Sequence, residues 1–314
     1  MNKRTLKITT GAMIVAIFGV LLLFNRQMGG LLEGSFTYLF PIPMVAYAAR
    51  YGGRSSLTVF VCMVFTAFLT STLTSMFYAI SAAFVGMIFG AMMFRKMDPT
   101  KTLLVVMFLC VLSNLLNLVL LAGISGYNLD AEVREMQEGM RLAMQKANVA
   151  LPDAMLGTDF LRRIFLVSIA LGGAFQGFLI YEISLLILRR MRIPVQKPKA
   201  VSQYYPPKWS GLVAFIAFMG YSYAFAKPGM DPLTQGVLET VGMLGYFYLI
   251  VFGVIALSLV IRCYVSGKRG VVLLLSILGM FLMPQGVMIL ALFYISGELH
   301  PYLLTKLEEM QQHG

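Results

Sequence analysis

Nine apolar runs, most of them near the length needed to cross a bilayer, constrain this chain more than any other feature. In hydrocarbon every backbone N–H and C=O must find a partner inside the protein, so a long uninterrupted apolar run becomes a helix. A core of about 30 Å is spanned by about 20 helical residues. The runs lie near 8–24, 31–49, 56–73, 75–94, 102–122, 164–188, 209–226, 238–261 and 271–295. The stretch 56–94 carries no charge and is divided here at Ser71-Thr72-Leu73-Thr74-Ser75. With hydrophobic residues at 59% and charged residues at 12%, the chain is excluded from the soluble globular class. The expected fold class is all-α, a polytopic transmembrane helical bundle of about nine spans.

A net charge of +11 would point to nucleic acid in a soluble chain. Here the charge sorts between the gaps. With the N-terminus inside, the inner segments hold most of the 25 basic residues, among them Arg50, Arg54, Arg95, Lys96, Arg189, Arg190, Lys208 and Arg262. Of the 14 acidic residues only Asp98 falls in an inner loop and only Glu182 well inside a span; the other 12 lie at or beyond the outer ends of the runs. This is the positive-inside pattern. It predicts a cytoplasmic N-terminus, an outside C-terminus and no nucleic-acid partner. Lys3, Arg4 and Lys7 precede the first run as in a secretory signal, but Phe24-Asn25-Arg26-Gln27 offers no small-residue cleavage pattern, so a retained signal-anchor span is expected.

Two breaks organise the chain. In the outer segment 123–163, Leu129, Val133, Met136, Met140 and Met144 recur on one helical face, which predicts an amphipathic helix. Lying at the interface and capping an outward-facing pocket are both open to it. The second break, 189–208, is basic, carries no acidic residue and contains Pro194, Pro198, Pro206 and Pro207. Proline forbids a continuous helix, so an extended cytoplasmic linker is expected over 191–208. It separates a six-span unit, 1–190, from a three-span unit, 209–314. Cys62 and Cys110 fall inside spans and Cys263 just past the end of one, and all three read as buried small apolar residues.

Motifs for soluble chemistry are absent from the sequence. It has no GxxxxGK[ST] and no HExxH, and its only histidines are His300 and His313. Neither an enzyme nor a metal or cofactor site is expected. What remains are polar residues in apolar runs, which are costly there and face the bundle or a cavity. Asn114 and Asn117 lie three apart on the fifth run; Gln176 lies near the middle of the sixth, with Glu182 six residues further on. Interhelical hydrogen bonding and a substrate site are both open to these four. Pro284-Gln285 interrupts the last run and predicts a kink. Tyr204, Tyr205 and Trp209 suit an interfacial belt. Ala12 and Ala16 form a small-xxx-small pair that lets another helix approach.

Gly11-Ala12-Met13-Ile14-Val15-Ala16, Phe40-Pro41-Ile42-Pro43 and Arg50-Tyr51-Gly52-Gly53-Arg54-Ser55 together resemble the YybS-like family of bacterial multi-span membrane proteins. The outer segment, the basic linker and the proline in the last run fit the same layout. That family in turn resembles the substrate-binding S components of energy-coupling factor transporters, six-helix proteins with both ends inside. The resemblance implies a bacterial plasma-membrane protein whose residues 1–190 form an S-component-like unit. It implies that Ala12 and Ala16 contact a transmembrane coupling subunit, that separate ATPases energise uptake, and that a small-molecule solute sits near the outer face where Asn114 and Asn117 lie. The three extra spans and the outer segment depart from it. The alternative is a non-transporting scaffold or assembly factor of the cell envelope, which would use the same small-residue surface and basic linker to hold partners in the lipid bilayer.

Overall fold

A computed structural model of the chain describes residues 3–31, 33–126, 128–147, 157–195, 205–227, 230–265 and 268–312. Among them every regular element is a helix: α1 (Lys3–Gln27), α2 (Glu33–Leu39), α3 (Pro41–Tyr51), α4 (Gly53–Thr70), α5 (Leu73–Phe94), α6 (Pro99–Ser125), α7 (Leu129–Ala147), α8 (Thr158–Arg190), α9 (Lys208–Ala226), α10 (Pro232–Tyr264), α11 (Arg269–Leu282), α12 (Pro284–Ser296) and α13 (Leu299–Gln312). Seven of these, α1, α4, α5, α6, α8, α9 and α10, are long and apolar enough to cross a membrane. The fold is the expected polytopic helical bundle. The chain divides into two compact units, Met1–Val133 with Ser168–Pro198, and Arg134–Val167 with Lys199–Gly314. The middle of the linker, 196–204 with Pro198 and Tyr204, lies outside the described residues, as does 148–156 of the outer segment with Pro152.

Helix ends follow local chemistry. The proposed hinge at 71–75 is where α4 stops and α5 starts, with Thr72 Oγ1 accepting from the Ser75 amide at 3.3 Å. Asp98 opens α6 by accepting from the Thr100 and Lys101 amides at 2.9 and 3.1 Å, and Pro99 takes the first helical position, where a missing N–H costs nothing. Asp231 and Pro232 repeat the device at α10, with the Thr234 amide 3.2 Å from Asp231. The second apolar run is not one straight helix: α2 and α3 meet at the fully buried Phe40, and Pro41 restarts the helix.

In the first unit α3 and α5 are in backbone contact. A Cβ on Gly90 would lie 2.5 Å from Ala48 Cβ and 2.6 Å from the Val45 carbonyl oxygen. Only glycine fits that approach. Around it Phe18 and Leu22 of α1, Met44 and Tyr47 of α3, Met63 of α4 and Ala79 and Ala83 of α5 form one buried cluster. The expected amphipathic helix is α7; Val133 is buried, and Leu129, Met136, Met140 and Met144 are half-buried. All three cysteines are free. Cys110 and Cys263 are buried as expected, while Cys62 is exposed on the outer side of α4.

In the second unit Leu249, Ala256 and Leu259 of α10 pack with Ala214 of α9, Met288, Ala291 and Tyr294 of α12, and Leu303 of α13. The last apolar run departs from expectation. Instead of one kinked span over 271–295, α11 and α12 bend by 113° at a break between Leu282 and Pro284. Proline supplies no N–H to the preceding turn and its ring blocks a straight continuation. The far end of α12 then lies against the start of α9: Ser296 Oγ donates to the Lys208 carbonyl at 2.8 Å, and Tyr205 Oη donates to the Ile295 carbonyl at 2.7 Å. After it, α13 meets the end of α10, with Cys263 Sγ 3.8 Å from the Leu303 carbonyl and the Tyr264 and Tyr302 hydroxyls 3.2 Å apart.

Replacing Gly90 by leucine should force α3 from α5 and cost about 1–3 kcal/mol. Gly123→Ala, at a helical position with open space around it, should leave stability almost unchanged. Thermal unfolding of both variants in the same detergent checks the pair. Equal melting temperatures would contradict the close contact.

Candidate functional site

The site in the first unit is built by the approach of α8 to α6. A Cβ on Gly177 would lie 2.6 Å from Met107 Cα, and one on Gly173 would lie 2.8 Å from Val111 Cα. Small residues four apart let helix backbones touch where no hydrophobic force between helices is available in lipid. Gln176 sits beside Gly177, so the same approach carries its carboxamide to α6, where Asn114 Nδ2 donates to Gln176 Oε1 at 3.0 Å. Asn117, one turn further along α6, is held from the other side: Ser81 Oγ of α5 donates to Asn117 Oδ1 at 3.0 Å. Asn117 is 2% exposed and Gln176 9%, so both pairs are shielded.

These side chains open onto one small pocket, which Thr37 of α2, Tyr78 of α5 and Ser113 of α6 also line. Its enclosed space is about 10 Å³, room for about one water, far below the range of about 300–1,000 Å³ found for drug-sized ligands. Three of the four residues singled out from the sequence therefore meet in one place. Glu182 does not: it is half-buried on α8 and absent from the lining. No residue of α7 lines the pocket either. Ala12 and Ala16 lie on the exposed side of α1, opposite the face on which Ile14, Phe18 and Leu22 are buried. Thr37, Tyr78 and Ser81 escaped the sequence reading because hydroxyls in apolar helices commonly bond back to their own backbone. The one available signal was the three-residue spacing of Tyr78 and Ser81, which puts both on one face of α5.

The second unit holds a polar cluster that hydropathy hid. Glu239, 3% exposed on α10, accepts from Arg163 Nη1 of α8 and, at 2.8 Å, from Gln235 Nε2 one turn earlier on its own helix. Arg163 lies flat over Gly236, where a Cβ would come within 3.1 Å of its guanidinium. Both charges sit at the margins of apolar runs, Arg163 at the end of the outer segment and Glu239 as the second residue of the run 238–261. The helices begin earlier than the runs, at Thr158 and Pro232, which brings both residues into regular structure. Gln235 and Glu239 at a helical spacing of four, with glycine between, were the readable sign. Among the described residues no three His, Cys, Asp or Glu side chains come together as a metal site.

Removing one member of a buried ion pair leaves the other charge uncompensated, at a cost of about 3–5 kcal/mol, whereas replacing both with apolar residues of similar volume costs far less. Glu239→Leu should therefore destabilise strongly, and the double variant Arg163→Met with Glu239→Leu should recover most of that loss. Thermal unfolding of the single and double variants measures the coupling. Additive losses would show that the pair is not coupled.

Neither the curated proteins nor the solved structures contain a match to this chain. One family does match it, over residues 16–295, described as predicted membrane protein (DUF2232). That match takes in both polar clusters and all seven long helices at least in part. The chain belongs to this membrane-protein family.

Proposed function

We propose that the chain is a solute-binding component of a membrane transport system, of the S-component type, in which Asn114, Asn117 and Gln176 hold a small molecule. The observation that carries this reading is the convergence of three carboxamides from α6 and α8 on one pocket with the hydroxyl of Ser81. Interhelical hydrogen bonds alone contribute about 0.6 kcal/mol on average, little return for burying several polar groups in apolar helices. A site that exchanges those bonds with a ligand gives the cluster a use. With a cytoplasmic N-terminus, and with the short helices α2 and α3 crossing together as one broken span, α6 ends and α8 begins on the outer side, so the pocket would open toward the source of solute. Since the sequence has no nucleotide-binding motif, uptake against a gradient would need a separate coupling subunit and ATPases. The exposed Ala12 and Ala16 on α1 are the proposed contact with that subunit. The scaffold reading draws on the same exposed face and on the modest size of the pocket. Co-purification with a defined envelope complex and no retained solute would favour it.

We place the protein in a bacterial plasma membrane with both ends on the cytoplasmic side, the seven long helices and the α2–α3 pair making eight crossings and α11–α12 turning back. For the C-terminus this replaces the outside location expected from nine straight spans. The support is the 113° bend and the contacts of α12 and α13 with Lys208, Cys263 and Tyr264, which border basic segments. A C-terminal reporter that works only in the cytoplasm should be active in intact cells. Labelling of Met310→Cys by a membrane-impermeant thiol reagent added outside would overturn the placement.

Native mass spectrometry of the gently extracted protein should detect a retained small molecule. Asn117→Ala and Gln176→Ala should each weaken its binding about tenfold, the equivalent of one lost hydrogen bond of about 1.4 kcal/mol. Retention unchanged in both variants would remove the proposed site.

A further inference from the structure

We infer that the pocket of the first unit selects a small uncharged solute bearing an amide group, and rejects carboxylates and cations of the same size. The inference rests on the solute-binding reading above and adds the chemical class.

Three observations support the class. The first is charge. No lining side chain is a carboxylate, lysine, arginine or histidine, and Glu182 lies outside the lining. An ion entering such a site would lose its hydration without a counter-charge, which is the costly case for buried charge. The second is the inventory of donors and acceptors. A carboxamide has two N–H donors and one oxygen acceptor with two lone pairs. The Asn114–Gln176 bond uses one N–H of Asn114 and the oxygen of Gln176, and the Ser81–Asn117 bond uses the oxygen of Asn117. By count, this leaves the Asn114 oxygen and the amide N–H groups of Asn117 and Gln176 with bonding capacity. Adjacent donor and acceptor groups of this kind are matched by another amide, which offers both on neighbouring atoms. A carboxylate offers acceptors only and an ammonium donors only. The third is size and wall. The enclosed space is about 10 Å³, room for about one water, so a solute enters by taking the place of the interhelical hydrogen bonds and is limited to a few heavy atoms. Ala82, Val85 and Ile180 give the pocket an apolar side, so the body of the solute is a short alkyl group.

The test uses the full chain in detergent and matched pairs of the smallest probes: formamide against formate, and acetamide against acetate, with methylammonium as the cation. Binding is read at neutral pH and millimolar probe by equilibrium dialysis, with the thermal unfolding midpoint as a second measure. Acetamide is expected to bind at least about tenfold more tightly than acetate, a difference of about 1.4 kcal/mol. Asn117→Ala and the milder Ser113→Ala should both weaken acetamide binding while the protein stays monodisperse. Equal or tighter binding of acetate or methylammonium that is still lost in Asn117→Ala would overturn the class and leave the site standing. Amide binding untouched by Asn114→Ala, Asn117→Ala and Gln176→Ala would overturn the site itself. Failure of every amide to bind or to shift unfolding would also overturn the class.

Discussion

Helix pairs in a bilayer gain nothing from leaving lipid for one another, because lipid tails are as apolar as leucine. What holds this protein together is therefore the distance at which backbones can meet. Gly90 brings α5 against α3, Gly173 and Gly177 bring α8 against α6, and Gly253 brings α10 against the start of α12. At each place a single methyl group would collide with a neighbouring atom. The buried clusters form around these contacts, and the polar pocket exists only because the α6–α8 contact is close enough for two carboxamides to bond across it.

Two solutions to buried polarity appear in the two units. In the first, neutral amides and hydroxyls share hydrogen bonds, so each group is cheap to bury and easy to re-pair. In the second, Arg163 and Glu239 compensate one another's charge, with Gln235 taking the second carboxylate oxygen. The neutral cluster lines a narrow pocket, while the charged pair is packed onto Gly236. The energetic contrast follows from desolvation: an ion pair is stable only while both partners remain, whereas an amide can exchange one partner for another.

Much of this was legible in the sequence, for specific reasons. Run length and backbone hydrogen bonding identified the helices, and Ser71–Ser75 marked the boundary between α4 and α5. The helical spacing of Leu129, Val133 and Met136 gave α7. The three-residue spacing of Asn114 and Asn117 predicted a shared face, yet their meeting with Gln176 depends on helix packing that no local pattern encodes. Hydropathy averages over a window, so Glu239 was pushed to a run's edge, although Asp231 and Pro232 mark an earlier helix start. Pro284 announced a break, but a proline alone does not separate a kink of some tens of degrees from a bend of 113°. Contacts of α12 with α9 and α10 decide that, and they are long-range.

The Asn114–Gln176 pair has a further consequence. A carboxamide turned by half a revolution about its last bond exchanges its oxygen and its nitrogen while occupying the same volume. The two side chains can therefore reverse the polarity of their shared bond, and with it the order of donor and acceptor shown to the pocket, without moving either helix. A guest would be read by its outline and neutrality, and the sense of its hydrogen bonds would be left for the wall to match.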